Sequence, residues 1–388
     1  MKKILLIHNI MWSHYKAAVF TELNKILAHY ETELLVVHIS QKGIAQKNLG
    51  DIEIDMHRYP HKVIFKEDYE IPGSLKKSTA LIREIFSYQP DIVILPGYNE
   101  ISFWIALLAT KLLKIPSILT FDSTAMDQPK FWYKEAVKRL FVRGCNAAFS
   151  YGTKSKEYLM ALGMPSSAIF IRCQATKNSE ICAIHKTAYA ERQKRLDAAN
   201  LKPHNFIYVG RLSLIKNIGL LIRCFENLKS HFLAASDWGL IIVGDGPQCQ
   251  ELNSLCAKIG ASDVYFAGGK SWREVPEFYA LADVFVLPST SEAWGLVVNE
   301  AMSCGLPVVV SNCCGSAYDL VIEGENGFVF DPFNEAELTD QMQYFIENPD
   351  SIERMGDYSK QIISNFTPEN SAKQMYLGIQ SILEKTKE

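Results

Sequence analysis

Ser289-Thr290-Ser291-Glu292-Ala293-Trp294-Gly295-Leu296-Val297-Val298-Asn299-Glu300-Ala301-Met302-Ser303-Cys304-Gly305-Leu306-Pro307 sets two carboxylates, Glu292 and Glu300, between two short apolar runs. The run before it, Asp283-Val284-Phe285-Val286-Leu287-Pro288, and the run after it, Pro307-Val308-Val309-Val310, read as strands buried on both faces. The middle must then be a loop and a helix joining parallel strands, with Glu292 in the loop and Glu300 on the helix. Gly295 removes a side chain where that helix begins, leaving its first N–H groups open to an anion such as a phosphate. Carboxylates on both sides of an anion site repel the anion unless hydroxyls of the same ligand engage them. A sugar on one side and a ribose on the other meet that requirement.

The same alternation extends outward in both directions. Asn205-Phe206-Ile207-Tyr208-Val209-Gly210 is a buried strand ending in glycine, followed by Arg211 and Lys216 before a helix from Ile218, which places two cations at the strand's carboxyl end. Leu240-Ile241-Ile242-Val243 runs into the tight turn Gly244-Asp245-Gly246-Pro247, where glycine lets a ligand approach the backbone. Val264-Tyr265-Phe266-Ala267-Gly268 supplies a short strand and turn.

In the first half, strands are expected over 3–8, 34–39, 91–95, 116–121 and 147–151, with helices over 14–27 and 102–113; the alternation of Ile52, Ile54 and Met56 suggests one more short strand. The pattern is α/β and doubly wound. Ligands bind beyond the carboxyl ends of such strands, so Asn9, His14 and Asp122 are expected at an acceptor surface. The expected organisation is an N-terminal Rossmann-like domain over 1–184, a charged, alanine-rich linker or peripheral helix over 185–203, a second Rossmann-like domain over 204–366, and a terminal helix over 367–388. That helix opens at Thr367-Pro368-Glu369 and returns to the first domain.

Composition narrows the function classes. With 48% hydrophobic and 21% charged residues the chain can fill large cores, and a net charge of −3 gives no footprint for nucleic acid. The nine cysteines lack any C-x-x-C pair and read as reduced core residues. Met1-Lys2-Lys3-Ile4-Leu5-Leu6-Ile7-His8 reads as a first strand rather than an export signal, and no apolar stretch is long enough to span a membrane, so cytoplasmic residence is expected. There is no D-x-D pair and no His/Cys cluster, so no metal site is expected.

Glu292 and Glu300, the preceding Pro-Ser, the Gly-Leu after the aromatic residue, and the Glu-Ala-Met…Gly-Leu-Pro-Val-Val run together resemble the E-x7-E motif of retaining glycosyltransferases; the chain is similar to family 4 of that group. The resemblance covers nearly the whole chain, most strongly 210–330. It implies the GT-B type, two Rossmann-like domains facing across a cleft, acceptor in the first and nucleotide sugar in the second.

It also implies roles for individual residues. Arg211 and Lys216 would hold the donor diphosphate, Arg as a planar fork and Lys as a point charge. Glu292 would face the sugar and Glu300 the ribose. Trp294, Gly295 and Leu296, the glycines Gly244 and Gly246, and Tyr265 with Phe266 against the base would complete the donor site. In the first loop, Asn9-Ile10-Met11-Trp12-Ser13-His14-Tyr15 lacks the glycine pair common in the family and is similar instead to a subgroup with Tyr-(Arg/Lys) leading into the first helix. Asp122 stands where many members place a His.

The implied reaction is metal-independent, retaining hexosyl transfer to a hydroxyl of a glycan or glycolipid, most often in cell-envelope polysaccharide synthesis, with no cofactor and the nucleotide sugar as co-substrate. It proceeds by front-face displacement through an oxocarbenium-like state. A nucleotide-sugar epimerase of the same architecture and a non-catalytic two-domain sugar-binding protein are the alternatives. From Lys130 to Arg143, the cations Lys134, Lys138, Arg139 and Arg143 accompany Phe131, Trp132, Val137 and Leu140, a pattern that suits either an anionic membrane surface or a solvated helix face.

Overall fold

The apolar runs become strands and the intervening amphipathic segments become helices, in regular alternation. In this computed structural model, which describes residues 1–44, 52–126 and 131–385, the elements begin with β1 (Lys2–Ile10), α1 (His14–His29), β2 (Thr32–Ser40), β3 (His61–Phe65), α2 (Ser74–Tyr88), β4 (Ile92–Leu95), α3 (Ile101–Leu112), β5 (Ser117–Phe121), α4 (Trp132–Gly144), β6 (Ala147–Ser150), α5 (Thr153–Ala161) and β7 (Ile169–Ile171). There follow α6 (Asn178–Tyr189), α7 (Arg192–Ala198), β8 (His204–Val209), α8 (Ile218–His231), β9 (Trp238–Val243), α9 (Cys249–Ile259), β10 (Val264–Gly268), α10 (Val275–Tyr279), β11 (Val284–Leu287), α11 (Leu296–Ser303), β12 (Val308–Ser311), α12 (Ala317–Leu320), β13 (Gly327–Phe330), α13 (Glu335–Glu347), α14 (Asp350–Ile363) and α15 (Pro368–Lys385).

The chain divides into two compact units, one of Met1–Ala175 with Thr367–Glu388 and one of Thr176–Phe366. The first contains a parallel sheet of seven strands in the order β3-β2-β1-β4-β5-β6-β7. Its central strands are apolar on both faces: Ile4, Leu5, Leu6 and Ile7 of β1 and all four residues of β4 are buried. Such strands are stable only with helices on both sides. From the other end of the sequence, α15 adds Ala372, Met375, Ile379 and Ile382 to this core, and Tyr376 stacks on Tyr30 with ring centroids 4.7 Å apart. Thr367 Oγ1 accepts from Asn370 N at 3.3 Å at the start of this helix.

In the second unit a parallel sheet of six strands runs β10-β9-β8-β11-β12-β13. Both sheets reverse direction of winding at one place, between β1 and β4 in the first and between β8 and β11 in the second. Loops leaving the strand ends at such a switch point diverge and open a crevice, which is where ligands bind in these sheets.

One expectation is corrected. The third strand of the first sheet is β3, not the segment around Ile52, Ile54 and Met56; Ile54–Met56 is a single 3-10 turn. As an edge strand, β3 begins with exposed His61 and Lys62 and shows little of the alternation a buried strand has. Residues 185–203, inside the second unit, hold the end of α6 and all of α7, tied to the rest of that unit by ion pairs of Arg192 with Asp283 and Arg195 with Glu277, each at 2.7 Å. Lys130 and the last three residues, 386–388, lie outside the described residues.

Candidate active site

The site in the second unit is built from the two loops at its switch point. After β8, Gly210 carries a φ of +151° and Gly244, after β9, one of +149°; a Cβ on Gly244 would lie 1.8 Å from the Gly210 carbonyl oxygen, so these strand ends touch through backbone alone. A Cβ on Gly246 would likewise meet Leu212 O at 2.3 Å, which shows how closely the turn after β9 packs on the loop after β8. Beyond Gly210 the chain makes a 3-10 turn, Leu214–Lys216, and enters α8 through left-handed Asn217, whose side chain donates to Pro332 O at 2.9 Å.

This geometry brings Lys216 to the loop after β11. Its ammonium is ion-paired with the Glu292 carboxylate, and both side chains are largely buried. Thr290 N donates to Ile215 O at 2.8 Å and binds the same two loops through backbone. Arg211, by contrast, is exposed, and its guanidinium has no side-chain partner among the described residues. A half-buried ion pair and an exposed, unpaired Arg on one loop give this strand end both signs of charge.

Gly295 caps α11 in the left-handed conformation, with φ +88°, and a Cβ there would meet Cys314 Sγ at 2.9 Å and Glu292 Cγ at 3.2 Å. No acidic residue occupies the first turn of α11, so the helix N-terminus stays open to an anion. One turn later Glu300 is half-buried, and its loss of water pushes the carboxyl up to about 7, opposed by the Tyr279 hydroxyl that donates to it at 3.4 Å. Glu292 and Glu300 therefore differ in kind: the first already has a counter-charge, the second has none.

The remaining expected residues fall in several places. Trp294 is buried, its indole N–H donated to Asn299 Oδ1 at 2.8 Å, so its ring faces protein. Leu296 begins α11 and is half-buried, while Tyr265 is exposed and Phe266 half-buried on the edge strand β10. Asn9 and Asp122 belong to the first unit, where they line a cavity of 290 Å³ at the ends of β1 and β5. His14 starts α1 and packs edge-on against Trp12 and Tyr15, with centroids 6.3 and 5.7 Å away.

Two parts of the site carry no signal in the local pattern. Cys313, Cys314 and Ser316 strap the loop after β11: Glu292 N donates to Cys313 O at 3.1 Å, Gly315 N to Glu292 O at 2.9 Å, and Ser316 N to Trp294 O at 3.1 Å. Tyr279, at the end of α10, reaches Glu300 across 21 positions of sequence. Both pairings depend on strand order, which spacing within one loop does not reveal.

Comparison with known proteins bears on the fold that holds these residues. The family model of the glycosyl transferases group 1 matches residues 190–362. The sulfoquinovosyl transferase SQD2 of Arabidopsis thaliana is 26% identical over 359 residues, 88% of this chain and 66% of that protein; an uncharacterized glycosyltransferase of Haemophilus influenzae is 30% identical over 190 residues, 49% of each. The matched region thus spans less than two thirds of the length of either relative. Among solved structures, HepE of Anabaena in complex with UDP superposes with a TM-score of 0.76 at 19% identity, covering 98% of this chain and all of that one. A glycosyltransferase of Rickettsia africae does so with a TM-score of 0.76 at 16% identity, covering 98% of each. These likenesses show the GT-B fold, and within it the stretch 190–362, a little under half of the chain, is similar to the glycosyl transferases group 1.

Proposed function

We propose that the protein transfers a sugar, with retention, from a nucleoside diphosphate sugar held by the second unit to a hydroxyl of a glycan or lipid-linked acceptor held by the first. The observation that carries this reading is the Lys216–Glu292 ion pair beside Arg211 and the open start of α11. In the reaction the diphosphate takes Lys216 and Arg211, the α11 N–H groups add dipole stabilisation, and the bond from the anomeric carbon to phosphate oxygen breaks as negative charge grows on the leaving group. Glu292, released from Lys216, accepts from sugar hydroxyls. Glu300 accepts from the ribose. The departing phosphate oxygen takes the acceptor's proton, so no carboxylate need become a covalent nucleophile.

UDP-linked donors are the first to test, because HepE was solved with UDP and with UDP-glucose. Incubation of the protein with a set of nucleotide sugars, with and without glycan and lipid-linked acceptors, separates the classes by product. Transfer yields nucleoside diphosphate and a new glycoside, epimerisation yields a changed nucleotide sugar without acceptor, and a binding protein yields neither. A donor at 100 times its dissociation constant adds about 2.7 kcal/mol of stability. Arg211→Ala weakens donor binding by at least about tenfold, the value of one charged hydrogen bond, with little change in Tm.

A peripheral location on the cytoplasmic membrane face is part of the proposal. No helix among the described residues is long and apolar enough to cross a membrane, but α4 leaves Trp132 83% and Leu140 69% exposed beside the exposed cations Lys134, Arg139 and Arg143. Lys138 does not join them. Its ammonium is held at 2.8 Å by both Glu135 and the Tyr158 hydroxyl. Aromatic and cationic side chains on one exposed helix suit an anionic leaflet, and equal sedimentation with neutral and anionic vesicles would leave only a solvated face.

A further inference from the structure

The first unit buries two cations whose partners are all neutral. Lys16, in the first turn of α1, is 8% exposed, and Arg172, just past β7, is 2% exposed. Lys16 Nζ donates to the Tyr151 hydroxyl and lies 3.9 Å from the centroid of that ring; the Arg172 guanidinium lies 4.6 Å from the same ring. Arg172 Nη1 donates to Met375 Sδ at 3.3 Å, and its buried Nε has no partner. Asp122, exposed at the end of β5, acts on Lys16 through space without forming an ion pair. Two buried like charges side by side, with no ion-pair partner and only the exposed Asp122 to offset them through space, are costly in the ligand-free protein. The cost shows in Lys16, which burial and then Arg172 hold well below its usual pKa.

Lys16 lines the cavity of 290 Å³ together with Asn9, Ser13, Tyr15, Asp122 and Tyr151. Asn9 Oδ1 is buried there without a partner. The 16-residue helix α1 also starts at this wall, with no side-chain cap on Ser13 and no acidic residue in its first turn. One side of the cavity thus presents a buried ammonium and a helix N-terminus, while Asp122, Glu70 and Asn9 Oδ1 on its lining leave acceptor atoms for hydroxyl donors.

We propose that this cavity seats an anionic group of the acceptor, a carboxylate or a phosphate, with Lys16 and the first N–H groups of α1 as its donors and Arg172 as the buried charge behind them. This rests on the reading that the first unit holds the acceptor. It selects acidic glycans or phosphorylated acceptors over neutral ones, since a neutral ligand leaves both cations without an ion-pair partner.

Thermal shift and calorimetry on the full chain test the proposal with glucose 6-phosphate, methyl glucuronide and, as the neutral control, methyl glucoside, each with and without saturating UDP. At least one anionic probe raises Tm saturably and methyl glucoside does not; which one does so distinguishes phosphate from carboxylate. Lys16→Met lowers the affinity for that probe at least tenfold and raises the Tm of the ligand-free protein, because it removes an unpaired buried charge. Lys16→Arg retains the response. The proposal is overturned if no anionic probe binds, if Lys16→Met binds it equally well, or if Lys16→Met lowers the ligand-free Tm, which would make Lys16 a structural partner of Tyr151. Competition between the probe and UDP overturns it too, since the cations would then serve the donor diphosphate. Failure of the transferase reading appears elsewhere, as absence of transfer with every nucleotide sugar, and leaves the arms without UDP interpretable.

Discussion

The Tyr279 hydroxyl lies 3.4 Å from Glu300 Oε2 and donates to it, yet desolvation outweighs that bond and holds the carboxyl at about 7. Ribose hydroxyls arriving at Glu300 would favour its ionised form, so UDP binding releases protons near neutral pH and UDP affinity rises from about pH 6 to pH 8. Glu300→Gln removes that slope and weakens UDP binding by about 1 to 3 kcal/mol. The stability effect has the opposite sign. A carboxyl with a raised folded pKa favours the folded state below its unfolded value and loses that contribution as pH rises through about 7, so Glu300→Gln raises Tm at pH 8. Calorimetry in two buffers of different ionisation enthalpy reads the proton release; a UDP affinity independent of pH in the native protein contradicts the assignment.

For Glu292 the expectation is the reverse in binding and severe in rate. Glu292→Gln frees Lys216 from its ion pair, so UDP, which has phosphates but no sugar, binds equally or more tightly. Loss of the carboxylate nearest the oxocarbenium lowers kcat by at least about tenfold. Weaker UDP binding in this variant would place Glu292 on the ribose side.

Backbone contact at the strand ends makes Gly244 intolerant of any side chain. Gly244→Ala drives a Cβ to within 1.8 Å of Gly210 O, and displacement of two strand-end loops costs about 2 to 4 kcal/mol. Gly260→Ala is the comparison: its φ is +79° and a Cβ there meets nothing within 4 Å, so only the backbone conformation opposes it, at about 1 kcal/mol. Urea denaturation of the two variants reads the difference.

Acid weakens the first unit through histidines. Burial first, then neighbouring positive charge, lowers His8 to about 3, His38 to about 2 and His57 to about 4, while Tyr59 links His38 and His57 through its hydroxyl. Their folded pKa values lie below the unfolded value of 6.5, so stability is complete above that pH and falls as the pH drops towards 4, when the unfolded chain takes up protons the folded one refuses. Each such group contributes at most about 1.4 kcal/mol per pH unit. The urea midpoint falls between pH 7 and pH 5, and His38→Gln makes that fall shallower.

Much of the fold was legible in the chain because buried parallel strands announce themselves: the runs at Ile4, Val93, Ile207, Ile241, Phe285 and Val309 all lie in central or near-central strands. Glu292, Gly295 and Glu300 could be read together because one strand–loop–helix unit holds all three. What escaped was set by pairing at a distance. The ion pair of Lys216 with Glu292 spans 76 positions, and Lys16 meets Tyr151 across 135. Edge strand β3 escaped for a different reason: with one neighbour and exposed His61 and Lys62, it has little need of an apolar pattern.

The place of α15 has a consequence for the order in which the protein forms during synthesis. Its Ala372, Met375, Ile379 and Ile382 complete a core whose other members begin at Ile4, whereas the second unit is one continuous stretch, Thr176–Phe366. A growing chain usually folds its leading domain first. Here the leading 175 residues emerge without their last helix, and the later unit has its full sequence while the earlier one still waits for Thr367 and beyond. The part that begins the chain is therefore the part that matures last, and until α15 arrives the apolar faces of α1, β6 and β7 that it packs against are left for a chaperone or for water.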